Sequence, residues 1–115
     1  MSTTIKKMNV YLAGPMRGYK RLNKEAFDRI EASYRKMDWV GEVFNPVTMD
    51  ENAGVVLDGD REYTQDELKE FIMRDFRAIM QCQGIVMLSG WEKSHGARVE
   101  HALAVYLGLA VFYVD

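Results

Sequence analysis

The chain of 115 residues is long enough for one domain with a single core, and the whole of it, 1–115, reads as that domain. A net charge of −2 argues against broad electrostatic binding to a nucleic-acid polymer. No apolar run has the length of a membrane span and no signal-peptide pattern opens the chain, so the expectation is a cytoplasmic protein with no membrane partner.

Residues 1–7 are polar and read as a frayed start. Met8 to Ala13 reads as the first strand. It runs into Gly14-Pro15-Met16-Arg17-Gly18, a tight loop whose two glycines let backbone N–H groups approach a ligand. Arg17, Lys20, Arg21 and Lys24 make this stretch locally basic. It is either a solvated face or an anion site at a strand-to-helix loop. Asn23 stands where it can cap a helix running to about Met37, with Phe27, Ile30, Tyr34 and Met37 as its buried stripe. A second strand falls between Trp39 and Asn45, and Pro46 ends it. Residues 46–63 show no clean period and read as a loop with at most one short turn. A loop of that length is a lid, a specificity loop or a variable surface excursion.

Thr64 and Glu67 have capping-box spacing, and the helix they start runs to about Gln81. Leu68, Phe71, Ile72, Phe76 and Ile79 form its apolar stripe, and Asp75 lies within it. The single cysteine, Cys82, excludes an internal disulfide framework, fits a reducing compartment and suits a small core position at a helix end. Ile85 to Leu88 is a short buried strand, ended by Ser89-Gly90. A helix then runs from an N-cap at Ser94 to a C-cap at Gly108, with apolar residues at Ala97, Leu103, Ala104 and Leu107. Glu100 falls on that same stripe. A carboxylate on a core-facing stripe is costly unless paired or used. Two of them, Asp75 and Glu100, in adjacent units point toward function. Leu109 to Val114 is the last strand.

Strand–helix alternation implies an α/β domain with a parallel sheet of about four or five strands and helices on both faces. Ligands of such sheets bind at the carboxyl ends of the strands, near a topological switch point. The loops Gly14–Gly18 and Gly90–Gly96 lie on that edge. No dinucleotide fingerprint, P-loop, metal-ligand spacing or nucleophile elbow occurs, so neither cofactor nor metal is expected. His101 reads as a partly exposed helix residue, and Trp91 as a base-stacking side chain or a loop residue capping the core.

Tyr11-Leu12-Ala13-Gly14-Pro15-Met16-Arg17-Gly18 resembles the opening motif of the nucleoside 2-deoxyribosyltransferase superfamily. Arg74-Asp75, Cys82-Gln83-Gly84-Ile85-Val86, Gly90-Trp91-Glu92-Lys93-Ser94-His95-Gly96-Ala97 and Glu100 resemble its later motifs. The likeness covers nearly the whole chain and is greatest to small members from phages and prophages. It implies a Rossmann-like or flavodoxin-like domain that cleaves N-glycosidic bonds. Glu100 would attack C1′ of the sugar, Asp75 would protonate or orient the departing base, and Tyr11 would lie at the sugar and the nucleophile. The remaining motif positions, Gly14, Pro15, Met16, Arg17, Gly18, Trp91, Ser94 and Gly96, would line the substrate. Sites of this kind are often completed by a neighbouring subunit, which implies a homodimer or a higher homo-oligomer. The chemistry suits the residues: retaining glycosyl transfer needs a carboxylate nucleophile and a second acid–base group. Asp75, on the more apolar stripe, is expected to have the raised pKa.

Six residues before the nucleophile, superfamily transferases acting on nucleosides tend to carry an acidic residue, and relatives hydrolysing nucleoside 5′-monophosphates tend to carry Ser. Ser94 therefore favours a phosphorylated substrate, with Arg17 as the positive partner. Gln83 departs from the Asp usual at that position, and little tail follows the last strand to reach a neighbour. The expected function is hydrolysis of a (deoxy)nucleoside 5′-monophosphate in the cytoplasm, the host's if the chain is phage-encoded. The rivals are a base-exchanging transferase, a nucleotide-binding or sensing module without turnover, and a protein-interaction role.

Overall fold

The computed structural model describes residues 6–114, so most of the expected frayed start lies outside the described residues. Four strands, β1 (Met8–Ala13), β2 (Val40–Phe44), β3 (Gly84–Met87) and β4 (Ala110–Tyr113), form one parallel sheet in the order β2-β1-β3-β4. Four helices connect them: α1 (Lys24–Arg35), α2 (Pro46–Asn52), α3 (Gln65–Ile79) and α4 (His95–Leu107). This is the expected α/β arrangement, a Rossmann-like or flavodoxin-like single sheet.

The central strands are buried on both faces, as parallel strands must be. Along β1, Tyr11 and Ala13 turn toward α3 and α4, where they pack with Ile79, Ile85, Met87 and Ala97. Val10 and Leu12 turn the other way and pack with Phe27 of α1, Val47 of α2 and Val86. This two-residue alternation sends the Tyr11 side chain to the α4 face. The chain reverses its direction of sheet growth between β1 and β3, so their carboxyl ends form the switch point.

The caps of the two later helices are as expected. Thr64 and Glu67 close a reciprocal capping box on α3. The Ser94 hydroxyl oxygen accepts from Ala97 N–H at 3.3 Å, and Gly108 ends α4 with φ of 72°. The start of α1 differs from expectation. Asn23 precedes the helix, but with φ of 65°, and its amide donates to Pro15 O at 3.0 Å instead of capping. Arg21 and Leu22 are also left-handed, and buried Leu22 anchors this turn.

Three expectations about burial and extent are corrected. Met37 and Leu107 are exposed, because each follows or closes the last turn of its helix, where the apolar stripe leaves the sheet. Residues 46–63 are not all loop: α2 occupies Pro46–Asn52. Asn45 Oδ1 accepts from Val47 N–H and Thr48 N–H, and Pro46 takes the first helical position. The Asn45 amide also donates to Asp28 and Glu31 of α1, which ties α2 to its neighbour. Cys82 is buried, its Sγ within 3.2 Å of Ala78 O, and burial pushes its thiol up to about 12. It is a core residue, as expected, and not a nucleophile at neutral pH.

Candidate active site

Tyr11 and Glu100 meet inside the domain, below the switch point. The Tyr11 hydroxyl donates to Glu100 Oε2 at 2.7 Å. Tyr11 is 0% exposed and Glu100 5%. Strand β1 fixes the ring, and α4 presents Glu100 one turn beyond Ala97 on its sheet-facing side. Asp75 reaches the same place from α3, adjoining both Glu100 and Tyr11. Its Oδ1 is buried with no hydrogen-bond partner among the described residues.

A third carboxylate belongs to the cluster. Asp50 of α2 is buried, and Arg74 of α3 donates to its Oδ1 through Nη1 at 3.0 Å. Asp50 was missed in the sequence because 46–63 was read as a loop. The signal was present: Asn45-Pro46 is an N-cap and first-position pair, and Val47 and Asp50 follow at helical spacing on its inward side.

Burial is the first cause of every shift here. It drives the Asp75 carboxyl up to about 6, against the opposing pull of the adjoining Glu100 and Tyr11 side chains and of the Arg74 charge. It holds Glu100 well above the usual carboxylate range, and the Asp75 charge adds to that. Asp50 is raised to about 6 by burial and by Asp75, opposed by Arg74. Tyr11 is pushed up by burial and by Glu100, so it stays a neutral donor. The raised Asp75 is as expected, and Glu100 is raised beside it. Burial is the first cause for both carboxyls. Two raised carboxyls side by side favour sharing one proton over both being ionised.

The other expected positions are distributed differently. Gly14 and Pro15 are buried, and a Cβ on Gly14 would stand 2.8 Å from Leu88 Cβ, so packing alone calls for glycine there. Met16 packs against the core on the α1 face. Gly18 is left-handed, and its N–H is taken by Gly59 O at 2.8 Å. Of this loop, Arg17 is the exposed, charged member, its guanidinium 5.5 Å from the Tyr63 ring centre. Ser94 and Gly96 sit at the start of α4, and no atom lies within 4 Å of where a Gly96 Cβ would be. Trp91 packs on the core and stacks on His101 at 4.3 Å, so one of its faces is already covered. His101 Nε2 lies 2.9 Å from the Tyr113 hydroxyl and takes no part in the cluster.

Gln83 stands at the opposite edge of the sheet. Its Oε1 accepts from Asn9 N–H, and its own N–H donates to Asn9 O, both at 2.9 Å. It ties the start of β3 to β1 and contributes nothing to the charge of the site, so its departure from the resembled motif leaves the carboxylate cluster untouched.

Tyr11, Asp50 and Glu100 are buried, and Asp75 is half-buried. Two surface cavities of about 330 and 420 Å³ are lined by other residues, apart from Arg74 in the second. The segment between α2 and α3 packs on α3 and on the first loop. Tyr63 packs edge-on against Phe71 at 4.9 Å, and Arg74 lies over the same Phe71 ring at 5.6 Å. Among the described residues no group of three or more His, Cys, Asp or Glu could hold a metal ion. Nor is any described helix long and apolar enough to cross a membrane.

Residues 8–113 match the family model described as Domain of unknown function (DUF4406). The chain belongs to that family. No curated protein matches it.

Proposed function

We propose that this DUF4406 chain is an N-glycosidase of the nucleoside 2-deoxyribosyltransferase type, acting on a (deoxy)nucleoside 5′-monophosphate. The observation that carries the reading is the buried Tyr11–Glu100 hydrogen bond with Asp75 beside it, at the carboxyl ends of β1 and β3. Two carboxyls sharing one proton are what a retaining displacement requires. The proton moves to Asp75 as substrate binds, which leaves Glu100 ionised. Glu100 Oε attacks C1′, the C1′–N bond breaks with its electron pair going to the base, and Asp75 gives that nitrogen its proton. In the second step water attacks C1′, the Glu100–C1′ bond breaks, and Asp75 takes the proton from water. Tyr11, a neutral donor, orients Glu100 and steadies its charge when the proton leaves.

Ser94 and Arg17 are assigned to the 5′-phosphate. The Ser94 oxygen caps α4, which leaves its hydroxyl hydrogen free to turn toward an anion at the helix start. The working form is a homo-oligomer in the cytoplasm. Val99, Val105 and Tyr106, exposed along α4, support the first part of that statement. The test is base release, followed by chromatography, from ribo- and deoxyribonucleosides and their 5′-monophosphates. Release from monophosphates alone, lost in Glu100→Ala, supports the hydrolase. Exchange of base on unphosphorylated nucleosides means a transferase, and no release from any of them rejects the enzyme.

A further inference from the structure

Two buried side-chain polar atoms have no hydrogen-bond partner among the described residues: Asp75 Oδ1 and the Tyr63 hydroxyl. Native proteins leave few such atoms, and each calls for a reason. Both are tied to α3. Tyr63 packs on Phe71, one turn before Asp75 on α3. The charge of Asp50 is felt at the Tyr63 hydroxyl, as it is at Tyr11 and Glu100. The Tyr63 ring is also held in place from outside. Arg17 lies 5.5 Å and Arg61 5.0 Å from its centre, within cation–π range. Its segment is clasped to the first loop by Gly18 N–H donating to Gly59 O, where a Cβ on Gly59 would meet Tyr19 O at 2.0 Å. The ring is fixed by three neighbours, Phe71, Arg17 and Arg61, while its hydroxyl is paired with no described residue and is placed to donate to a ligand.

We propose that Tyr63 is a base-recognition residue: its hydroxyl donates to an acceptor atom, a carbonyl oxygen or ring nitrogen, on the heterocycle that Asp75 contacts. A nucleobase edge carries donors and acceptors side by side, and so satisfies both orphan atoms at once. The inference rests on the glycosidase reading for the identity of the ligand, and it deepens that reading by adding a specificity residue to it. Tyr63 is a neutral donor, because burial raises its hydroxyl above the ordinary value against the opposing charge of Arg61.

The test is Tyr63→Phe, which keeps the ring and both cation contacts and removes only the oxygen. Free adenine, guanine, cytosine, thymine and ribose 5-phosphate serve as probes, with binding followed by calorimetry and thermal shift on the full chain. The variant should bind the parent's preferred base about tenfold more weakly, the effect of leaving one buried acceptor unpaired. Ribose 5-phosphate should bind both proteins alike. Without ligand the variant should melt at the same temperature or higher, since the lost hydroxyl had no partner to lose. Unchanged base affinity, a variant that melts several degrees lower, or a parent that binds no base at all overturns the proposal. If the bases bind as predicted while no nucleotide releases its base, the glycosidase reading fails and the base site stands.

Discussion

Asp75→Asn should stabilise the protein at neutral pH while it abolishes turnover. In the folded chain the Asp75 carboxyl titrates at about 6, against an ordinary value of 3.8. Between those values the folded state holds a proton that the unfolded state has released. Stability from this group is full below about pH 4, declines as pH rises, and is gone above about pH 6. The displacement corresponds to about 3 kcal/mol of native stability lost on ionisation. Asn has the same shape and no charge, and its amide can donate to Glu100. The variant should therefore be more stable by about 1–3 kcal/mol at pH 7.5, the lower end allowing for the proton Asp75 shares with Glu100, and its melting temperature should rise by about 4 °C per kcal/mol. The gain should shrink toward zero as the pH approaches 4. Urea unfolding followed by the fluorescence of Trp39 and Trp91, at pH 7.5 and 4.5, measures both. Base release should fall by about 10²–10⁴-fold, the usual contribution of a general acid. A variant less stable than the parent at pH 7.5, or a gain that does not diminish in acid, would refute the reasoning that burial and not pairing sets this group.

The pH profile of base release should have an acid limb near 6, where the Asp75–Glu100 pair takes up its second proton and Glu100 can no longer ionise; a rate flat from pH 5 to 8 would contradict the shared proton. Gly59→Ala should cost about 1–3 kcal/mol of stability, because its Cβ would stand 2.0 Å from Tyr19 O. It should raise KM more than it lowers kcat, as measured by melting and steady-state kinetics, since it forces apart the clasp that seats Tyr63. Ser94→Asp should leave α4 capped and the melting point nearly unchanged, because Asp caps as well as Ser. The same change should weaken monophosphates about tenfold or more and spare nucleosides, which a substrate competition would reveal.

The parallel sheet was readable in the sequence because its strands are short apolar runs separated by helices with strong stops, such as Thr64, Ser94 and Gly108. Glu100 and Asp75 stood out for the same reason in reverse, as charges on faces that had to point inward. Asp50 did not stand out. Its helix is seven residues long, too short for a period to show against the glycines and acidic residues that follow. Tyr63 lies in an aperiodic segment, and its role depends on contacts with Arg17 and Phe71 that sequence spacing does not encode. Composition shows that a glycine is needed, but only the fold shows that Gly14 makes room for Leu88 and that the Gly18 N–H is spent on Gly59.

The central claim is that Glu100 forms a covalent bond to C1′. It is tested most directly by incubating the protein with a 2′-fluoro nucleoside 5′-monophosphate, quenching in acid and measuring the mass of the intact chain and its peptides. The account predicts a mass increase equal to the fluorinated sugar phosphate, carried on the peptide containing Glu100 and absent from Glu100→Gln. Base release without that adduct, an adduct on another residue, or an unchanged mass with no base released would contradict it.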